Sequence, residues 1–290
     1  MERHTETLRL KLALVISSLY FFAELVGGFV TNSLALLSDA GHMLSDIAAL
    51  ALSLFAFRIA KRPATVSSTY GYHRAEILAA LFNGLMLWLI VGVIFAAAYN
   101  RFLDPPAVAS RGMMIVASLG LLVNVVAGAV LYGSHQHNLN LRGAFLHVVS
   151  DALGSVGAIA AGLIMLLTGW YVADPVISIL IGLLILHSSW NLIKESLSVL
   201  MQAVPKGIRL EDVQQALEGV EGVSKVHDLH VWAVTSDIFT LSAHAVVENG
   251  GDFHQVLNGI EDTLKERFNI EHTTIQLETE SREEKEFKAF

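Results

Sequence analysis

The run LALLSDAGHMLSDIAALALSLF, residues 34–55, is long and apolar, yet it carries one histidine and two aspartates. Its central pattern, His-x-x-Ser-Asp, occurs at His42–Asp46 and again at His147–Asp151. Residues four apart lie on one face of a helix, so each copy presents an imidazole beside a carboxylate. Two such faces in contact would supply two nitrogens and two oxygens, a tetrahedral set suited to a zinc-like divalent cation.

The composition indicates a membrane protein. Of the 290 residues, 53% are hydrophobic and 16% are charged, which is too apolar for an ordinary soluble domain. Residues 1–202 carry 11 basic and 10 acidic residues, net +1, whereas residues 203–290 carry 8 and 17, net −9. We therefore expect a membrane domain over 1–202 and a soluble acidic domain over 203–290, with no nucleic acid as a partner. The absence of cysteine excludes thiolate metal sites.

The membrane part divides into six apolar stretches, each long enough for a spanning helix of roughly 20 residues. They cover residues 9–30, 34–59, 76–102, 111–133, 143–169 and 174–196. Lysine and arginine concentrate on the cytoplasmic side of short loops. With six spans, nine such residues fall on the side of the termini and two on the other. This predicts a multi-pass protein of the inner (cytoplasmic) membrane with both termini in the cytoplasm.

The soluble part has a different periodicity. Residues 210–217 and 253–268 have the spacing of amphipathic helices, and residues 223–234, 238–247 and 270–277 read as strands. The order helix-strand-strand-helix-strand predicts an α+β layer with two helices on one face of a small antiparallel or mixed sheet. The predicted fold is thus an all-α six-helix membrane domain followed by a cytosolic α+β domain.

Four motifs carry a resemblance to a known family. They are LSDAGHMLSD at 37–46, HVVSDA at 147–152, YGYHRAE at 70–76 and VHDLHVW at 226–232. With these motifs the chain resembles the cation diffusion facilitator family, in its bacterial zinc/proton antiporter group. The resemblance implies a homodimer in the lipid bilayer, a ferredoxin-like cytosolic domain, and zinc export in exchange for protons. It implies a transport site of His42, Asp46, His147 and Asp151, whose two histidines resemble the zinc-preferring branch.

Further polar residues are candidates for the ion pathway or an interface. Asp39 lies near the His42 face of the predicted second span. His73 lies where a cytosolic loop meets the third span, and His135 and His137 lie in the loop between spans four and five. Each of these histidines has a simpler interpretation as a solvated loop residue.

The soluble hairpin contains a second group of candidate ligands. A turn centred on Ser236 places His227 opposite residue 245, beside His244, and places His230 opposite Ser242. Strict alternation puts His227 and His230 on opposite faces, and a β-bulge between them would remove the conflict. By resemblance, His227, His244 and Glu278 match positions that bind regulatory Zn²⁺ in relatives, with His230 in reserve. The alternative is a polar sheet face at a dimer interface.

Two other functions remain open for a membrane chain with these motifs. An intramembrane metalloenzyme would need a zinc-activated water and a general base, typically in an H-E-x-x-H arrangement, which the sequence lacks. A metal channel or sensor that does not transport uphill would need no proton coupling. The sequence favours a transporter over an enzyme, because two histidines and two aspartates close the coordination sphere of a zinc ion.

Overall fold

The computed structural model describes residues 18–132, 139–235, 238–248 and 251–280, with the side chains of 50, 53, 54, 130–132 and 139–147 left out. The contacts divide the chain into two compact units. One contains residues up to Leu52 together with Phe82–Leu192, and the other contains Ser53–Leu81 together with residues from Ile193 onward. Each unit is described by itself.

Six helices precede the soluble segment in the described residues. They are α1, described over Ser18–Thr31, α2 (Leu34–Ala60), α3 (Ala75–Leu103), α4 (Ser110–Tyr132), α5 (Leu139–Thr168) and α6 (Ala173–Leu200). By length and hydropathy four stretches within them can cross a membrane: Ala75–Leu103, Ser110–Ala129, Val148–Thr168 and Ala173–Leu200. Large apolar side chains such as Phe29, Leu89 and Leu167 face outward, as lipid contact requires. The predicted helical membrane domain is confirmed.

Close helix approach shapes the core of the first unit. Its buried core includes Leu36 of α2, Val91 of α3, Met113 of α4 and Met165 of α5. Helices in lipid associate through van der Waals packing, which small residues at the interface permit. At Gly120 a β-carbon would lie only 2.0 Å from the hydroxyl of Tyr20, so the glycine leaves room on α4 for the tyrosine ring of α1.

A buried carboxylate holds the beginning of α2. Asp174, at the beginning of α6, is fully buried. It accepts hydrogen bonds from the Ser33 hydroxyl (2.7 Å), the backbone N–H groups of Leu34 (2.7 Å) and Ala35 (3.2 Å), and the Arg101 guanidinium (3.1 Å). The first N–H groups of a helix have no partner within it, so Asp174 supplies the N-terminal cap of α2 from another helix. This cluster joins α2, α3 and α6 at one end.

The soluble segment forms a three-stranded mixed sheet. Its elements are α7 (Leu210–Glu218), β1 (Val223–Thr235), β2 (Ile238–Val247), α8 (Phe253–Phe268) and β3 (His272–Glu278). The strand order is β1-β2-β3, with β1 and β2 antiparallel and β2 and β3 parallel. The predicted α+β layer is confirmed, although β3 begins two residues later than expected. Asn269 explains the later start, because it ends α8 in the left-handed conformation with φ of 55°.

One face of the sheet packs on the helices and the other does not. The core contains Val213 and Leu217 of α7, Ile260 and Leu264 of α8, and Leu241 of β2. Ala243 and Ala245 share the face of Leu241 because side chains alternate along a strand. Ser242 and His244 therefore lie on the helix-free face. The position of His244 on that face determines which other side chains can join it.

Candidate metal sites

The two intramembrane motifs supply side chains that meet. His42 and Asp46 lie one turn apart on α2, and Asp151 lies on α5. His42 Nε2 is 3.8 Å from Asp46 Oδ2 and 3.9 Å from Asp151 Oδ1. The three side chains are mostly shielded, with exposed fractions of 16%, 34% and 14%. Residues more than a hundred positions apart thus converge at one point in the helical unit.

These distances suit a shared cation better than a direct hydrogen bond. Zinc binds histidine nitrogen and carboxylate oxygen at about 2.0–2.2 Å, so two ligands on a tetrahedral ion lie about 3.3 Å apart. Separations near 3.8 Å need only a small rotamer adjustment to reach that value. His147 belongs to α5 one turn before Asp151, but its side chain lies outside the described residues.

Further polar residues lie near His42, Asp46 and Asp151. Ser45, the serine of the first motif, donates a hydrogen bond to the Asn83 side chain of α3 at 3.2 Å, so it links two helices rather than adding a ligand. Asp39 is buried on α2 and faces Gly154 of α5. Glu24 is also buried, and it accepts a hydrogen bond from the Tyr20 hydroxyl at 3.0 Å.

The loop histidines do not join a metal cluster in the part of the chain that the structure describes. His73 is half-buried before α3 and lines a cavity with Tyr70, Thr240 and His272. Among the described residues, His73 belongs to no group of three or more side chains that could hold a metal ion. His135 and His137 lie outside the described residues.

A β-bulge gathers histidines on the helix-free face of the sheet. His227 pairs with His244 and His230 pairs with Ser242, with a register shift between the two pairs. The pairing of His230 with Ser242 and the bulge were predicted from the sequence and are confirmed, whereas the predicted partner of His227 was residue 245, and the bulge moves the pairing by one position to His244. Asp228 takes the extra position, with φ of 48° in the left-handed region, which aspartate tolerates better than most residues. Two histidines three residues apart consequently share one face.

Three side chains on this face come within range of one ion. Ligating atoms of His227, His244 and Glu278 all lie within 4.8 Å of one another. His227 Nε2 is 3.2 Å from Glu278 Oε2, and His244 Nδ1 is 3.4 Å from Glu278 Oε1. Both distances match the separation of two ligands on one zinc ion. The donor set is chemically that of a zinc site, two imidazoles and a carboxylate.

The electrostatics of this group favour an ionised Glu278. Burial alone would raise the pKa of the carboxyl group. A hydrogen bond from Gln276, at 2.6 Å, and the adjacent His244 and His227 imidazoles outweigh burial and lower the pKa below its ordinary value. The carboxylate is therefore in its metal-binding form near neutral pH.

Sequence reasoning missed two polar groups. The first is the Arg101–Asp174 pair. The sequence signal for this pair was two opposite charges at the ends of the third and sixth predicted spans, on the same side of the membrane. The second is Asp228, which lies 2.9 Å from His230 Nε2 and 3.9 Å from His244 Nε2. The sequence signal for Asp228 was its place between His227 and His230, where the predicted β-bulge falls.

Comparison with protein families assigns both parts of the chain. Residues 10–201 match the cation efflux transmembrane domain, and residues 205–280 match the cytoplasmic domain of cation efflux proteins. Helices carrying intramembrane imidazoles and carboxylates, followed by a small soluble sheet, define the class of membrane cation transporters.

Curated relatives extend over most of the chain. It is 46% identical to the "Cadmium, cobalt and zinc/H(+)-K(+) antiporter" of Bacillus subtilis, over 90% of this chain and 86% of that protein. It is 45% identical to the "Metal cation efflux system protein CzcD" of Cupriavidus metallidurans, over 93% and 85%. It is 43% identical to the "Zinc transporter ZitB" of Pectobacterium atrosepticum, over 95% and 87%. The chain belongs to the cation efflux, or cation diffusion facilitator, family, and it is a membrane transporter rather than an enzyme.

Proposed function

We propose that this protein exports Zn²⁺ or a similar divalent cation from the cytoplasm in exchange for protons. The transport site consists of His42, Asp46, His147 and Asp151. The observation that carries the proposal is the convergence of His42 with Asp46 and Asp151, at 3.8 and 3.9 Å, inside the helical unit. The names of the relatives, a cadmium, cobalt and zinc antiporter and a zinc transporter, support the same substrate class.

Proton exchange follows from the chemistry of the ligands. An imidazole nitrogen binds a metal only when it carries no proton, and histidine exchanges its proton near neutral pH. His42 and His147 therefore lose protons as the metal binds from the cytoplasm and regain them where the metal leaves. Neighbouring acidic groups lower the free-energy cost of the exchange, because they stabilise either a bound metal ion or a bound proton. A tilt of the helices against one another would switch access between the two sides.

The same proposal covers the arrangement of the protein in the membrane. Residues 1–202 form the transport domain and residues 203–290 a cytosolic domain. Both termini face the cytoplasm of an inner-membrane, multi-pass protein, since nine of eleven loop lysines and arginines fall on that side. Two chains associate as a homodimer, which fits the match of the soluble part to the cytoplasmic domain of the family.

In the cytosolic domain we assign regulatory Zn²⁺ binding to His227, His244 and Glu278. Their 3.2 and 3.4 Å contacts support the assignment, as does the lowered pKa of Glu278. Metal held there would neutralise a buried carboxylate and tie β1 to β3 through side chains. The domain would then be most rigid when cytosolic zinc is abundant, as a sensor requires.

Everted membrane vesicles test transport and coupling together. Zinc uptake into vesicles is measured with and without an imposed pH gradient, acidic inside, at zero membrane potential. We expect the gradient to drive accumulation against the zinc gradient, and a protonophore to abolish it. Uptake that only dissipates the zinc gradient and ignores pH would indicate a channel instead.

A further inference from the structure

Both nitrogens of the His244 ring face a carboxylate. Nδ1 lies 3.4 Å from Glu278 Oε1, and Nε2 lies 3.9 Å from Asp228 Oδ2. The other oxygen of Asp228 lies 2.9 Å from His230 Nε2. His244 therefore stands between two groups of ligating atoms, an inner group with His227 and Glu278 and an outer group with Asp228 and His230.

The outer group has the chemistry of a cation site but is looser than the inner group, which is the one group among the described residues whose ligating atoms all lie within 4.8 Å of one another. Its donors are two imidazole nitrogens and one carboxylate. Its contacts of 2.9 and 3.9 Å lie on either side of the separation of about 3.3 Å between two ligands of a tetrahedral zinc ion. The inner group alone does not explain why Asp228 and His230 occupy this place.

Exposure falls steadily from the outer to the inner group. The exposed side-chain fraction is 63% for His230, 31% for Asp228 and 24% for His244. It is 4% for His227 and 3% for Glu278. An ion in water can reach His230 directly, whereas an ion bound by His227 and Glu278 has lost most of its contact with solvent. His244 is the residue common to both environments.

The backbone is shaped to maintain this arrangement. In a regular strand, residues three apart lie on opposite faces, yet the bulge at Asp228 places His227 and His230 on the same face. The left-handed φ of Asp228 is costly for residues other than glycine, asparagine and aspartate. Strained backbone of this kind persists where the surrounding structure holds it, and it is concentrated at functional sites.

We propose that Asp228, His230 and the Nε2 atom of His244 form an outer binding position for a divalent cation, from which the ion passes to the inner site. The proposal rests on the regulatory inner site described under the proposed function. A neutral imidazole has one free lone pair, so His244 can bind through Nε2 or through Nδ1, but not through both while it keeps its remaining proton. The two positions are consequently filled in turn, and the cytosolic domain holds one ion per chain.

Zinc-binding kinetics test the outer position in the full-length protein. The transport site is first removed by Asp46→Ala and Asp151→Ala, so that binding reports on the cytosolic domain alone. The metal-free protein in detergent is mixed with Zn²⁺ in a stopped-flow instrument at pH 7, with a fluorescent zinc indicator as competitor. His230→Ala and Asp228→Asn are compared in this background, and asparagine is chosen because it tolerates the left-handed backbone.

We expect both substitutions to slow zinc association and dissociation together by about tenfold, the lower end of the effect of residues next to metal ligands. Because an intermediate position changes rates and not the end state, the dissociation constant stays within about threefold, or ~0.7 kcal/mol. The matched controls His254→Ala and Asp262→Asn remove an imidazole and a charge from α8, and we expect them to leave both rates unchanged.

Three results would overturn the proposal. Faster dissociation with a weaker dissociation constant in His230→Ala would make His230 a direct ligand of the inner site. Unchanged rates in both variants would exclude an outer position. Two zinc ions per chain in the cytosolic domain would exclude alternating use of His244. The inner site is tested separately by His227→Ala, because full retention of affinity in that variant refutes the regulatory site whatever the His230 result.

Discussion

At the scale of single residues, the proposed transport site depends on an imidazole whose surroundings differ from those of His187. His42 lies within 4 Å of two carboxylates, whereas His187 of α6 is exposed on the outside of the unit. Both histidines lie in apolar helices, so hydropathy does not distinguish them. Only the first has the neighbours that a divalent cation requires.

We predict that His42→Ala lowers zinc uptake into everted vesicles at least about 100-fold. Outer-shell changes already cost about 10–100-fold in metal affinity, and His42 is assigned as a direct ligand. His187→Ala removes an imidazole of the same kind from the same membrane and should transport at the wild-type rate. Equal uptake by the two variants, at equal amounts of protein in the membrane, would refute the assignment of His42.

Glu278 gives a second prediction at this scale, on stability against pH. Its folded pKa lies below its unfolded value, so its stabilising contribution is fully present above the unfolded pKa and is lost as the pH falls through the folded pKa. Glu278→Gln should therefore lower the apparent melting temperature of the metal-free protein at pH 7. The gap from wild type should close in strongly acidic buffer.

The measurement is thermal unfolding of the full chain in detergent, followed by tryptophan fluorescence, with Trp232 of β1 as a probe in the same sheet. Glu271→Gln serves as the control, because this exposed carboxylate has only a solvent-accessible contact with Lys265 at 3.7 Å. If the difference in melting temperature between Glu278→Gln and wild type is the same at pH 7 and in strong acid, the direction of the pKa shift is wrong.

At the scale of elements, α2 depends on a cap from α6. The cluster of Asp174 with Arg101 and the first N–H groups of α2 is fully buried on the carboxylate side. Since α2 carries His42 and Asp46, an uncapped N-terminus would loosen the helix that positions two of the proposed ligands. Asp174 serves α2 and is itself saturated with hydrogen-bond donors, so it is not available as a further metal ligand.

We predict that Asp174→Ala destabilises the protein by about 3–5 kcal/mol, the cost of removing one partner from a buried ion pair. It leaves two backbone N–H groups without their acceptor, and it removes the carboxylate partner of the Arg101 guanidinium, which keeps its hydrogen bonds to the Asn32 carbonyl and side chain. Asp104→Ala, in the exposed segment after α3, is the matched control and should change stability by less than about 0.5 kcal/mol. Thermal unfolding in detergent measures the stability of both variants. Equal melting temperatures would show that the Asp174 cap does not stabilise α2.

At the scale of the whole molecule, the proposed dimer and the cytosolic zinc site are linked. A ligand that binds one state of the protein stabilises that state. We predict that micromolar Zn²⁺ increases the dimer fraction of the full-length protein in detergent, measured by analytical ultracentrifugation. His227→Ala should abolish the increase, whereas His187→Ala should preserve it. If the dimer fraction of the wild-type protein does not change with zinc, zinc binding at the cytosolic site and dimer formation are not linked.

The sequence by itself determined the class of the protein and much of its local structure. Hydropathy locates the membrane helices because a spanning segment must be apolar along its whole length. The spacing of His-x-x-Ser-Asp puts His42 and Asp46 on one face because the helical period is 3.6 residues. The predicted turn at Ser236 gives the pairing of His230 with Ser242 because a hairpin register follows from its turn. All of these are short-range consequences of chain geometry.

Only the tertiary structure decided which faces meet. Lipid is as apolar as the helices, so hydrophobicity does not choose the partner of α2. Packing of small residues and buried polar contacts makes that choice, and it brings Asp151 of α5 to His42 of α2 and Asp174 of α6 to the beginning of α2. The bulge at Asp228 likewise needs the whole sheet, because a left-handed aspartate persists only where the pairing on both sides holds it. Contacts between distant segments depend on packing and on buried polar pairs, which the local periodicity of the sequence does not specify.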